Sequence, residues 1–213
     1  MDRLDQISSF NRFAQVSRET IKTLVKFESL LIKANKSLNL IGKSTINQIW
    51  QRHILDSFQV IDFIEDNDKT LIDIGSGAGF PGLVIAIAAK DRKIPLKISL
   101  IDKSSKKTKF LKEAISELDL NVEVICQNIL QIDKKIMKHV FVARAFKPLP
   151  KILELIHNQA QDWKKIIIFL GKTGKNELLQ VSKKWDIEYK QRVSVTNNDS
   201  LVININKVKK KIE

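Results

Sequence analysis

A single cysteine, Cys126, leaves no partner for an internal disulfide, which agrees with a reducing compartment. Long hydrophobic runs are missing as well. The longest strongly apolar stretch, Leu83 to Ala89, falls far short of the roughly 18 residues that cross a bilayer as a helix. The opening MDRLDQISSFNRF lacks the apolar block of a secretory signal. A soluble, cytoplasmic protein with no membrane partner is expected. No internal repeat, heptad array or low-complexity linker is visible. No Ser/His/Asp arrangement or metal-ligand cluster stands out, so no metal is expected, and His139 and His157 have no context that singles them out.

What the chain has in excess is positive charge: 37 Lys and Arg against 24 Asp and Glu, a net of +13. Such a surplus attracts a polyanion, because each phosphate neutralised by a cationic side chain releases a counterion. A second reading is compositional, since lysine greatly outnumbers arginine and Ile and Asn are abundant; the KVKKK tail is then only a solvated charge run.

Periodicity divides the chain. Between Glu19 and Ala34 the positions Ile21, Leu24, Val25, Leu31 and Ile32 recur at helical spacing. After a turn-like NKSLNLIGKST, the residues Ile46, Ile49, Trp50, His53, Ile54, Ser57, Phe58 and Ile61 form one stripe, predicting a second helix capped by Ser44 or Thr45. From Thr70 short apolar runs alternate with helical stretches: TLIDIG, a helix from Pro81 to Lys90, LKISLID, a helix from Ser104 to Leu118, VEVIC, HVFVARAF, a helix from Leu149 to Ala160, and the run Lys165 to Leu170. This alternation predicts an α/β fold with a mainly parallel sheet. EYKQRVSV and SLVININK flank the turn-prone TNND, predicting an antiparallel hairpin at the end. The expected organisation is a helical extension over residues 1–66 and a Rossmann-like domain over 67–213.

The first strand runs into Asp73, Ile74, Gly75, Ser76, Gly77, Ala78, Gly79, Phe80 and Pro81 before a helix. Glycines let the chain turn sharply with its backbone against a ligand. Phe80 stands where the dinucleotide pattern requires its third glycine, which argues against an NAD site. The second strand ends in Asp102, whose carboxylate can accept both hydroxyls of a nucleoside ribose or start the helix that follows. A ribose site without room for a pyrophosphate fits S-adenosylmethionine best.

Methyl transfer from a sulfonium needs alignment and exclusion of water more than a covalent group. The Asn/Asp-Pro-Pro-aromatic segment typical of adenine amine methylation is replaced here by Ala143, Arg144, Ala145 and Phe146. Cytosine carbon-5 methylation needs an attacking thiol, and Cys126 reads as an inert thiol in a buried strand. Guanine N7 remains open, because its lone pair needs no base. Arg144 ends the fourth strand and points towards the ligand crevice, or else is a surface ion-pairing arginine. Arg52 and Asp56, one helical turn apart, read as a surface pair, and His53 as a satisfied core histidine or a site residue.

RHILDS about twenty residues before DIGSGAGFPG, followed by VARAF, resembles the bacterial 16S rRNA guanine-N7 methyltransferases, also called glucose-inhibited division protein B, from NKSLNLIG to the final strands. The resemblance implies a class I S-adenosylmethionine-dependent methyltransferase fold with a seven-stranded sheet, an N-terminal helical extension and, as partner, a guanine in the 530 loop of the small-subunit RNA, guanine 527 by the family's name. It implies that Gly75, Gly77, Gly79 and Phe80 contact the cofactor, that Ile129 and Leu130 border its adenine, that Asp102 holds its ribose and that Arg144 lies at its methionine end. Arg52, His53 and Asp56 would line the entrance for the base, with His53 and Arg144 as candidate catalytic groups and Lys172 as a phosphate contact. A monomer is expected. Two departures stand out: Asn128, Ile129 and Leu130 replace an Arg followed by an acidic pair, and Leu170 to Thr173 reads LGKT in place of Leu-Lys-Gly. Two other readings stay open, a methyltransferase of small molecules and a non-catalytic nucleotide-binding or ribosome-associated module.

Overall fold

The computed structural model describes residues 2–211. Helix α1 (Arg3–Ala14) starts on Asp2, whose carboxylate accepts the Asp5 N–H, and buries Gln6, Phe10 and Ala14, which are spaced four apart on one face. Helix α2 (Arg18–Leu38) starts on the Ser17 side chain and turns Leu24, Phe27 and Leu31 inward. It continues past the expected end at Ala34 and takes in NKSL.

The single helix expected from Ile46 to Ile61 is instead a succession of short turns. A 3-10 turn (Lys43–Gln48) leads to a widened π-type turn (Trp50–Leu55), one α turn α3 (Asp56–Phe58) and a second 3-10 turn (Gln59–Phe63). Neither Ser44 nor Thr45 is the cap: Gly42 precedes the first turn, and the Thr45 hydroxyl donates to its carbonyl at 2.8 Å. The apolar stripe still faces inward, with Phe10 edge-on to Trp50 and Phe58 at 5.4 and 5.2 Å. Such ring pairs add roughly 0.5–1.5 kcal/mol each beyond their burial. π-type turns concentrate at functional sites, and this one carries Arg52 and His53.

The sheet has strands β1 (Thr70–Ile74), β2 (Lys97–Asp102), β3 (Val122–Cys126), β5 (Val140–Arg144), β7 (Lys165–Leu170), β8 (Trp185–Ser194) and β9 (Asn197–Lys210), in the order β3-β2-β1-β5-β7-β9-β8. A separate two-stranded ladder pairs β4 (Ile136–Met137) with β6 (Ala160–Gln161). The first five strands of the main sheet are parallel, and β9 and β8 close it antiparallel. Helices α4 (Gly82–Asp91) and α5 (Ser105–Glu117) cover one face together with α1 and α2, in one continuous apolar core from Phe10 to Val202. Helices α6 (Leu149–Gln159) and α7 (Gly174–Val181) cover the other. The parallel sheet and the terminal hairpin are as expected.

Cys126 does not lie in a buried strand. It ends β3, the edge of the sheet, and its side chain is exposed. An edge strand is covered less fully than its neighbours, and β3 is at most half-buried along its length.

A candidate active site at the carboxyl ends of the strands

The strand order reverses between β1 and β5, and open α/β sheets bind ligands at that point, beyond the carboxyl ends of the strands. The glycine loop leaves β1 there. Gly75, Gly77 and Gly79 all have positive φ (72°, 56° and 93°), and a Cβ on Gly75 would run into the Phe146 ring. The loop's amides are largely spent on the protein itself. Gly75 N–H and Ser76 N–H donate to the Ile101 carbonyl at 2.8 and 3.1 Å, Gly79 N–H and Phe80 N–H to the Ser76 carbonyl, and Gly77 N–H to Asp102 Oδ2 at 3.0 Å. A phosphate cradle needs such donors free. This loop therefore suits a nucleoside without phosphates and not a dinucleotide.

Asp102 is buried at the end of β2. Its Oδ2 accepts from Gly77 and its Oδ1 from the Ser104 N–H at 2.8 Å; Asp102 does not start the helix, because α5 is capped by the Ser104 side chain, which accepts the Lys107 N–H. Each oxygen keeps a lone pair for a hydroxyl donor. After β3, Ile129 is buried, whereas Leu130 is exposed and donates its N–H to the Asn128 side chain at 3.2 Å. These residues fit the adenosine end of S-adenosylmethionine. A further acceptor lies beneath the loop: Asp73 is fully buried, its Oδ2 accepts the Gly82 N–H at 2.9 Å, and its Oδ1 has no partner. Burial pushes its carboxyl up to about 7.

At the end of β5, Arg144 reaches the RHILDS segment. Its Nε lies 3.2 Å from Asp56 Oδ2, Nη2 donates to the Arg52 carbonyl at 2.6 Å and to His53 Nδ1 at 3.2 Å, and Nη1 donates to the Ser57 hydroxyl at 3.4 Å. The surface pair expected between Arg52 and Asp56 is not formed. Asp56 pairs with Arg144, both partners largely covered, while Arg52 is exposed and contributes its backbone. Ala145, directly after Arg144, has φ 51°, a left-handed conformation uncommon for a residue with a side chain.

The donors fix the state of His53. Arginine can only donate, so Nδ1 is an acceptor and Nε2 carries the proton, which it gives to Thr45 Oγ1 at 2.8 Å. Burial, followed by the charges of Arg144 and Arg52, lowers its pKa to about 3, so the ring is neutral at physiological pH. It stacks on Phe80 at 5.0 Å, and Phe80 also meets Phe27 of α2.

Asp56 Oδ1 accepts from Gln59 Nε2 (2.8 Å), the Ser194 hydroxyl (2.8 Å) and the Thr196 hydroxyl (3.1 Å). Asp56, Ser194 and Thr196 border a hollow of about 310 Å³ with Arg52, Arg144 and Phe169. Lys172 lies apart from this group, exposed and 3.7 Å from Asp199. Sequence reasoning missed Asp73, Thr45, Ser194 and Thr196. An acid inside the apolar run TLIDIG was a usable signal for Asp73, but nothing local marks Ser194 or Thr196.

A family model described as rRNA small subunit methyltransferase G (GidB) matches residues 20–203. The chain belongs to this family. A small subunit methyltransferase G of Pelagibacter ubique is 40% identical over 198 residues, covering 92% of each chain. One from Rickettsia akari is 35% identical over 196 residues, covering 92% of this chain and 98% of its own. Among solved structures, the 16S rRNA methylase RmtB superposes with a TM-score of 0.55 at 14% identity, covering 90% of this chain and 76% of that one. M. capricolum TrmK in complex with S-adenosyl-homocysteine gives a TM-score of 0.52 at 21% identity, covering 71% of this chain and 67% of that one. At these identities the two structures show the shared fold alone. Within the methyltransferase G family, the RHILDS and VARAF segments of this chain meet in one hydrogen-bonded cluster around Arg144.

Proposed function

We propose that the chain transfers a methyl group from S-adenosylmethionine to N7 of a guanine in 16S rRNA, in the 530 loop. The observation that carries this reading is the family match over residues 20–203, laid over a crevice whose loop amides are committed to the protein. S-adenosylmethionine, when bound, supplies an electrophilic methyl. Gly75, Gly77, Gly79 and Phe80 form its bed, Asp102 accepts its ribose hydroxyls, and Ile129 and Leu130 flank its adenine. Arg52 and Asp56 line the entrance of the base, and Lys172 touches flanking phosphate.

Guanine N7 presents a lone pair, so the reaction requires no general base. His53 agrees with that: its Nδ1 lone pair is occupied by Arg144, and it positions that arginine instead of taking a proton. Arg144 in turn shapes the methionine end of the crevice. The chain acts as a cytoplasmic monomer in which residues 1–66 form a helical extension on the methyltransferase domain of residues 67–213.

The test is mass-spectrometric mapping of 16S rRNA, taken from small subunits lacking the modification, after incubation with the protein and S-adenosylmethionine. A new 7-methylguanosine in the 530 loop is expected. No methyl on any form of that RNA, with the cofactor still bound, would overturn the substrate assignment.

A further inference from the structure

Helix α5 carries its charge the wrong way round. A helix amino terminus bears partial positive charge and favours acids. Yet the first turn of α5 has no acidic residue, and Lys106, Lys107, Lys109 and Lys112 follow one another before Glu113 and Glu117 appear near its end. Lys103 adds a further charge just before the Ser104 cap. This order works against the stability of the helix, so intrahelical electrostatics do not account for it.

Its position explains it better. Ser104 follows Asp102 closely, so the basic half of α5 begins at the rim of the cofactor crevice. Beside it runs α2, tied to the far end of α5 by the Lys26–Glu117 ion pair at 2.9 Å. Between the two helices lies a groove of about 770 Å³. Leu30, Ala34 and Phe110 lie along it, and Lys33, Lys106 and Lys109 add their charges. Of its two acids, Glu117 is held by Lys26 and Glu113 sits towards the end away from the crevice. Among the described residues none of Lys33, Lys106 and Lys109 makes an ion pair, whereas lysines elsewhere, such as Lys90, Lys151 and Lys207, do.

We propose that the groove between α2 and the amino-terminal half of α5 is the docking track for the phosphodiester backbone of the RNA that flanks the target nucleotide. The inference rests on the reading that the substrate is 16S rRNA. Lys33, Lys106 and Lys109 contact successive phosphates, and the apolar floor takes the face of an unstacked base. A run of cations leading to a cofactor site whose loop amides are already paired within the protein delivers the polyanion to the crevice without competing for the cofactor.

The experiment compares two triple variants with wild type by filter binding of small subunits in the presence of S-adenosylmethionine across a range of salt. One is Lys33→Ala/Lys106→Ala/Lys109→Ala. The other is Lys183→Ala/Lys184→Ala/Lys209→Ala, which removes the same charge from exposed lysines far along the chain. The groove triple is expected to bind at least tenfold more weakly, with the slope of log K against log salt shallower by about 2 units for three lost contacts. Its affinity for S-adenosylmethionine stays at the wild-type value, and the control triple stays within about threefold of wild type by the same electrostatic reasoning. Equal losses in both triples, or none in the groove triple, would overturn the docking track. Because binding is read directly, a failure of wild type to methylate the RNA would count against the proposed activity and leave this readout intact.

Discussion

Arg144 Nε and Asp56 Oδ2 stand 3.2 Å apart across the crevice mouth, and that ion pair joins the end of a core strand to the helical turns before the sheet. Both side chains are largely covered, at 18% and 13% exposure, so neither charge can be met fully by water. Asp56→Asn leaves the guanidinium without its counter-charge, at an expected cost of about 3 kcal/mol. For a chain of this size that lowers the melting temperature by about 10 °C. Calorimetry should also show Asp56→Glu recovering part of the loss. A melting temperature unchanged by Asp56→Asn would show that the pair contributes little.

Gly75→Ala places a methyl group against Phe146 at a backbone angle that alanine adopts reluctantly. A strained left-handed residue costs roughly 1–3 kcal/mol. The loop responds by shifting, and affinity for S-adenosylmethionine is expected to fall at least tenfold in titration calorimetry. Wild-type affinity in Gly75→Ala would remove the loop from the cofactor site.

His53 makes stability depend on acid. The folded ring gains its proton only near pH 3, whereas the unfolded ring does so near 6.5. Between these values the unfolded chain binds more protons, so stability is fully present above about 6.5 and declines as the pH falls towards 3. The slope from this residue is at most about 1.4 kcal/mol per pH unit. His53→Gln, which cannot titrate, should lose less stability than wild type between pH 6 and pH 4 in urea unfolding. Proton NMR should find the His53 ring untitrated from pH 5 to 8, and a midpoint inside that range would refute the assignment.

Asp73 has the opposite sign. Its folded carboxyl titrates near 7 and its unfolded one near 3.8, so the stability it favours is present at low pH and lost as the pH rises through 7. Asp73→Asn keeps an acceptor for the Gly82 N–H and removes the buried charge. Relative to wild type it should gain stability between pH 5 and pH 8, and a gain no larger at pH 8 than at pH 5 would mean that the carboxyl is already ionised at the lower pH.

The sheet could be read from the sequence because each strand is a short apolar run bounded by turn residues, and TNND announced the hairpin formed by β8 and β9. The glycine loop and Asp102 were legible for a similar reason, since each follows its strand directly. Helix α1 was not, because its buried face contains a glutamine, Gln6, beside Phe10 and Ala14. Nor was α7, which opens in the turn-like sequence LGKTGKN. Periodicity found the stripe of Trp50, Ile54 and Phe58 but assumed regular α geometry, so it paired Asp56 with its neighbour Arg52. Apart from nearby Gln59, the actual partners are Arg144, Ser194 and Thr196, which lie 88 to 140 positions away and are chosen by tertiary packing.

Those long separations set an order of assembly. The carboxylate of Asp56 is completed by hydroxyls from the end of β8 and the turn that follows it, 138 and 140 residues further along. Contacts so remote in sequence form late, after the closure entropy of the intervening chain has been met. During synthesis the glycine loop and Asp102 can settle against each other while the C-terminal hairpin is still unmade. A nascent chain is therefore expected to order the proposed cofactor bed before the proposed substrate entrance, whose Asp56 cluster is complete only once Ser194 and Thr196 have emerged.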